Sequence, residues 1–340
     1  MSQHVCAWLR QWSTAAHRSA VCELDAWSRA PEWPLLFAAK GLVASFVFHA
    51  ICYATARAGL AFAPPSWEGR TGWRKPMLFG ISNALVFSAL RQGLRSQAIM
   101  PRSAAAHTAA WSTLLEVAII TVQAWRGEPS HFNTSTPLNA AFYTAKLVGA
   151  SLLGVVCLGV TAGCAFRPTA SGAKLAALRS GLALLSVAVL VGFGQVVYGH
   201  SLQSGAGHPL PPAITEQECR IATAGTSGAP CYEVFGAARL KILHFMPLHA
   251  TEALLALAWG ARTAGLAAPK AIATVHLAAF GLTLLTVASA WQVARGGGLS
   301  LQGLARLHLE LPAAVAVLLG LLAISCAAGR VAVCQPKWGD

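Results

Sequence analysis

The chain has 340 residues, 55% of them hydrophobic and only 11% charged, with a formal net charge of +13. Soluble domains carry about 25% charged residues, so this composition excludes a soluble globular protein. The basic residues stand one to three at a time between apolar runs. That is the pattern of loop charges that set membrane topology, and it excludes a phosphate-tracking nucleic-acid surface.

Residues 1–33 contain no apolar stretch of the secretory type. Val5, Trp8, Leu9 and Trp12, then Ala20, Leu24 and Trp27, follow helical spacing with Arg10, Arg18 and Arg29 between them. Tryptophan and arginine on one amphipathic helix predict an interfacial N-terminal segment.

A membrane span needs about 20 mostly apolar residues. Eight stretches between residues 34 and 334 meet that expectation. They are Leu35–Phe62, Met77–Leu94, Ala104–Trp125, Leu138–Cys164, Leu175–Tyr198, Ile242–Trp259, Ala271–Val293 and Leu311–Val333. The second and sixth are shortest, and the second carries Arg91. The expected fold is an all-α polytopic transmembrane bundle of about eight spans, with residues 335–340 as a tail. Its immediate partner is the lipid bilayer. With eight spans, thirteen loop Lys and Arg residues fall on the side of the termini and ten on the other, which favours cytoplasmic termini.

The loop of residues 200–238 is the longest between spans and holds Cys219 and Cys231. A pair closing about a dozen residues is expected to form a disulfide if that side is oxidising. Two free thiols are the alternative. Asn133-Thr134-Ser135 on the same side matches a glycosylation triplet.

The sixth span opens on Arg239, Lys241, His244, His249 and Glu252, around Pro247. Ionisable side chains within a bilayer are costly and mark a site. On an ideal helix His244 and His249 diverge by roughly 140°, so one helix does not easily give both to one metal. The third span offers Glu116 and Gln123, seven residues apart on one face. Glu116 and Glu252 are expected at one level, about 14–15 Å deep, with His249 and Glu252 facing the third span. Two such carboxyls can share a proton, hold a cation or join histidines around a metal, or act separately as interhelical glue.

After the third span, His131 and Asn133 are candidate ligands in a loop over these residues, and Thr136-Pro137 has the form of a helix start. Lys75, Arg126, Arg239 and Lys241 line the same side and suit a lipid head or small anionic ligand, or simply snorkel to the interface. His49, Asn83, Lys146, Gln195 and Tyr198 are more ordinary interhelical polar contacts.

The sequence contains no H-E-x-x-H, G-x-S-x-G, Walker or C-x-x-C-H motif. Histidines in several spans permit a metal ion or b-type haem. An eight-span plan with a cysteine-paired loop resembles haem A synthases, but their Glu-x-x-His-Arg motif is absent, so no haem assignment follows. Lys75-Pro76 to Ser82, Glu116 through Gln123 to Ser130–Asn133, and His244-Phe245 to His249 together resemble a family of uncharacterised bacterial multi-pass membrane proteins. The resemblance covers roughly spans two to six. It implies a polytopic inner-membrane protein with a periplasm-facing polar cluster, and no activity.

The leading expectation is a membrane enzyme using a metal or haem. His131, His244 and His249 would be its ligands, Glu116 and Glu252 its proton carriers, and Lys75, Gln123, Asn133, Arg239 and Lys241 its ligand-binding residues. A proton-coupled transporter or channel through Glu116 and Glu252 is the alternative. A non-catalytic assembly or sensory subunit is the third.

Overall fold

The computed structural model describes residues 30–58, 73–166, 172–203, 243–294, 319 and 326–327. Arg239, Lys241, the Cys219–Cys231 pair, the N-terminal amphipathic segment and most of the eighth span lie outside these residues.

Every regular element among the described residues is helical. In chain order they are α1 (Trp33–Arg57), α2 (Arg74–Ser96), α3 (Arg102–Trp125), α4 (Pro137–Ala165), α5 (Ala173–Gln203), α6 (Ala250–Thr263) and α7 (Ala268–Ala294). Five of these, α1, α3, α4, α5 and α7, are long and apolar enough to cross a membrane. Their outward side chains, such as Phe37, Ile51, Val155, Leu190 and Phe280, are large, apolar and exposed, as lipid contact requires.

Ring contacts fix the helix directions. Trp33 meets His107 at 5.8 Å and Phe37 meets Trp111 at 6.4 Å, while Phe48 meets Trp125 at 6.2 Å. Helices α1 and α3 are therefore parallel. Trp73, just before α2, stacks on Trp125 at 5.7 Å, and Arg95 at its far end reaches Glu32 at 3.2 Å. Thus α2 runs the other way. The two ends of the bundle are called the Trp125 face and the Glu32 face below.

Helix α2 is the least hydrophobic of the long helices, yet the most central. It packs against α1, α3, α4, α5 and α6. Its lysine and arginines depress its apolarity, and burial among neighbours supplies the surroundings that lipid would otherwise provide. Phe87, Leu90 and Leu94 of α2 join Val156 and Val160 of α4 and Leu182 and Leu185 of α5 in one closed core cluster. Along α2, Phe87, Leu90 and Leu94 lie on the Glu32 side of Ser82, and along α4 Val156 and Val160 lie on the Glu32 side of Lys146.

The sixth span departs from its expectation as one continuous helix. Residues 243–248 are helical, His249 is a turn with φ −102° and ψ 12°, and α6 then begins at Ala250. Pro247 lacks the N–H that would bond back to residue 243, and its ring crowds that carbonyl. The break follows two residues later. Beyond it, α6 lies close on α5, because a Cβ on Gly181 would overlap the backbone of Thr251.

Candidate functional site

The seam between α3 and α4 is built from small residues and amides. A Cβ on Gly149 would stand 3.0 Å from the carbonyl oxygen of Ser112, so the backbones approach in the manner of small-residue membrane contacts. Towards the Trp125 face the same antiparallel register brings Glu116 opposite Lys146, then Gln123 opposite Asn139. Gln123 donates to Asn139 at 3.1 Å, which fixes that register.

Glu116 and Lys146 are 7% and 4% exposed. Lys146 exerts the largest charge effect on Glu116, followed by Lys75 from the first turn of α2. The Lys146 ammonium also lies over the Tyr143 ring, 5.3 Å from its centre. The seam register sets Lys146 at the depth of Glu116, where its charge offsets part of the cost of burying the carboxyl. Lys146, expected as an ordinary interhelical contact, is thus the partner of Glu116.

Gln123 and Asn133 are consumed by structure. The Gln123 amide donates to Pro129 O and Asn139 Oδ1, and its oxygen accepts from Arg126. Arg126 also donates to Asn139 and lies over Phe142. Asn133 donates to Glu128 and to Pro129 O, and accepts from the backbone and hydroxyl of Ser135. With the side chain buried and its nitrogen donated twice, the Asn133 triplet has no room for a glycan. Thr136 caps α4, accepting from Asn139 N at 3.2 Å with Pro137 in the first turn. Phe132 adopts a left-handed φ of 55° and packs on Tyr143 at 5.4 Å, a conformation costing about 1–2 kcal/mol that this bonded loop holds in place.

The histidines go to separate partners. His244 Nδ1 donates to Ala188 O of α5 at 2.7 Å. His131 bonds through Nδ1 to Ser130 Oγ at 3.0 Å and faces Phe79 of α2 at 5.9 Å. His249 turns to α2 as well, with Nε2 at 2.8 Å from Ser82 Oγ. His49 is saturated, because Nδ1 donates to Ser45 O at 2.7 Å and Nε2 accepts from Trp125 Nε1 at 3.3 Å. Among the described residues no three His, Cys, Asp or Glu side chains converge on a metal position. The expected set of His131, His244 and His249 is therefore not gathered around one metal position.

Glu252 does not meet Glu116. Its α6 packs on α5, α7 and α2, and its charge acts on Cys157 of α4. Its carboxylate lies 3.8 Å from His249 Nδ1. The expectation that His249 and Glu252 face α3 thus gives way to a different geometry. The break at His249 rotates the ring onto α2, and α2 stands between α6 and α3. Along α2, Lys75, Phe79 and Ser82 fall at helical spacing and serve Glu116, His131 and His249 in turn. Sequence reasoning missed Ser82 as a site residue. Its signal was this spacing on the one span too polar to face lipid.

Polar atoms in this region are incompletely paired. His249 Nδ1 and both carboxylate oxygens of Glu252 are buried and make no hydrogen bond. Such groups are rare without a functional reason. The chain matches no family model, no curated protein and no solved structure.

Proposed function

We propose that this protein is a membrane-embedded enzyme whose polar site opens towards the Trp125 face alone. One observation carries the reading. Lys75, Glu116, Lys146 and Ser82 lie in the half of the bundle nearer Trp125, with His249 reaching Ser82 from α6, while Phe87, Leu90 and Leu94 of α2 and Val160 of α4 are buried towards the Glu32 face. A transport path needs polar groups continuing across that second half. Among the described residues, that half offers buried leucine and valine, with Gln97 tied to Ile99 and Met100 and Thr161 and Ser186 bonded to each other and to Leu182 O.

The excess of loop Lys and Arg on the side of the termini supports a bacterial inner-membrane location with the Trp125 face periplasmic. Side chains that combine a hydroxyl, an imidazole and carboxylates suit proton-transfer chemistry on a substrate that enters from that leaflet.

Reconstitution into sealed vesicles with an internal pH dye tests the reading against a proton-coupled path. The expected result is proton leakage no greater than in protein-free vesicles. Flux that Glu116→Gln abolishes would establish transport and remove the enzyme reading.

A further inference from the structure

We propose that Ser82 is a nucleophile, activated by His249 and oriented through Glu252, and that it attacks the carbonyl of a lipid-borne ester. The assignment rests on the one-sided enzyme reading above and adds to it a reaction and a substrate class.

The geometry is that of a nucleophile–base–orienter relay. Ser82 Oγ and His249 Nε2 are 2.8 Å apart, within the reach a general base needs. The opposite ring nitrogen, Nδ1, faces Glu252 Oε2 at 3.8 Å. Hydroxyl and carboxylate thus address the two nitrogens of one imidazole, the division of roles that lets one ring accept a proton and be held while doing so. The Glu252 contact is about 1 Å longer than a hydrogen bond, and such contacts commonly tighten only when substrate is bound. No other hydrogen bond competes for His249 Nδ1 or the Glu252 oxygens.

A purely structural Ser–His contact would need only the first of these two distances. It would give no reason to bury a carboxylate without a single hydrogen bond on the far side of the ring. The backbone is also arranged for it. The break after Pro247 makes His249 the cap residue of α6, turned towards α2, and places Glu252 one turn later on the same side.

The surroundings point to a substrate from the bilayer. Ser82 lies eight residues, about 12 Å, below the start of α2 at Arg74. Leu78 and Leu85, one turn before and after it, are 45% and 43% exposed. Phe245, whose ring is 5.2 Å from that of His249, is 53% exposed. The approach to the hydroxyl is therefore flanked by apolar side chains on both helices, which suits an acyl chain.

In the reaction, the Ser82 oxygen forms a bond to the ester carbonyl carbon while its proton passes to His249 Nε2. Collapse breaks the bond between that carbon and the alcohol oxygen, and the departing alcohol takes the proton from Nε2. Water then opens the acyl-serine by the same relay, regenerating the hydroxyl and releasing a carboxylic acid. Ser82 and His249 are the catalytic residues, and Glu252 is a positioning residue.

A long-chain alkyl fluorophosphonate tests this on the full-length protein in detergent. Phosphorus bonds to the serine oxygen, fluoride leaves, and the proton goes to His249 and then to solvent. The expected result is one adduct per chain, located on the Ser82 peptide by mass spectrometry and absent in Ser82→Ala. Ser130→Ala, which removes a different histidine-bonded serine, labels normally. His249→Asn slows labelling by about 10²–10⁴-fold. Glu252→Gln slows the maximal inactivation rate about tenfold or more while leaving the reagent concentration for half-maximal rate unchanged, a split that a misfolded site would not give.

Unlabelled Ser82 in folded wild-type protein, or labelling unchanged in His249→Asn, overturns the proposal. A short-chain, water-soluble fluorophosphonate reacting as fast as the long-chain one overturns its lipid-borne part. Each of these results leaves the one-sided site standing. Proton flux through the vesicles described above would remove that reading instead, whatever the labelling shows.

Discussion

Replacing Glu116 by glutamine leaves Lys146 as a cation inside the bundle with its main counter-charge gone. Glu116 lies nine residues below Trp125 on α3, and Lys146 nine residues below Pro137 on α4. Both are thus about 14 Å from the Trp125 face, and both are nearly inaccessible. An unpartnered charge at such depth costs about 2.5–3.5 kcal/mol on insertion scales, and breaking a buried pair about 3–5 kcal/mol. Glu116→Gln should therefore destabilise the bundle by about 3 kcal/mol. Lys146→Met should cost less, about 1–2 kcal/mol, because Lys75 remains near Glu116 and the carboxyl can take up a proton. The double variant should lose no more than Glu116→Gln alone, giving a coupling of about 1–2 kcal/mol. Reversible unfolding in mixed SDS micelles, followed by tryptophan fluorescence, measures all four proteins. Strictly additive losses would refute the pairing of Glu116 with Lys146 and the seam register on which it rests.

Gly181→Ala forces α6 off α5 at Thr251. It should cost about 1–3 kcal/mol by overpacking and slow Ser82 labelling, because His249 and Glu252 move with the start of α6. Gln123→Leu strands Arg126 and Asn139. It should cost about 1–3 kcal/mol, and limited proteolysis should then cut within residues 126–136, which stay protected in the wild type. Because His131, His244 and His249 reach separate partners, incubation with EDTA should leave the rate of Ser82 labelling unchanged. A loss restored by added metal would return these histidines to the role of ligands.

The helices were legible because their signal is local. Long apolar runs bounded by Trp73, Trp125 and Thr136-Pro137 locate α2, α3 and α4 to within a few residues. Pro247 also announced a disturbance in the sixth span. What the sequence could not convey was the direction that disturbance sent His249, since an ideal-helix count assumes the continuity that proline removes. The polar residues were recognised individually from their cost in a bilayer, but their partners were assigned by depth alone. Depth grouped Glu116 and Glu252 at one level, whereas the contact of Gly181 with Thr251 and the effect of Glu252 on Cys157 set Glu252 deeper in the bundle, with α2 between the two. It also left Lys146 aside, because a single lysine one helix away carries no pattern that names its carboxylate.

Ser82 was illegible for a different reason. A nucleophile on a sharp strand-to-helix turn imposes glycines around itself, which is why G-x-S-x-G is readable. A serine on a membrane helix needs no special backbone, and its base comes from 167 residues further along the chain. Only the packing of α2 against the start of α6 unites them.

The central claim is a site reached from one face only, and cysteine accessibility at Ser82 tests it most directly. In a variant with the nine native cysteines replaced and Ser82→Cys introduced, a membrane-impermeant thiol reagent is applied to vesicles sealed in each orientation. The account predicts modification only when the Trp125 face is outward. Equal modification from the Glu32 face would contradict it, since the reagent would then have crossed the core of Leu90, Leu94 and Leu182.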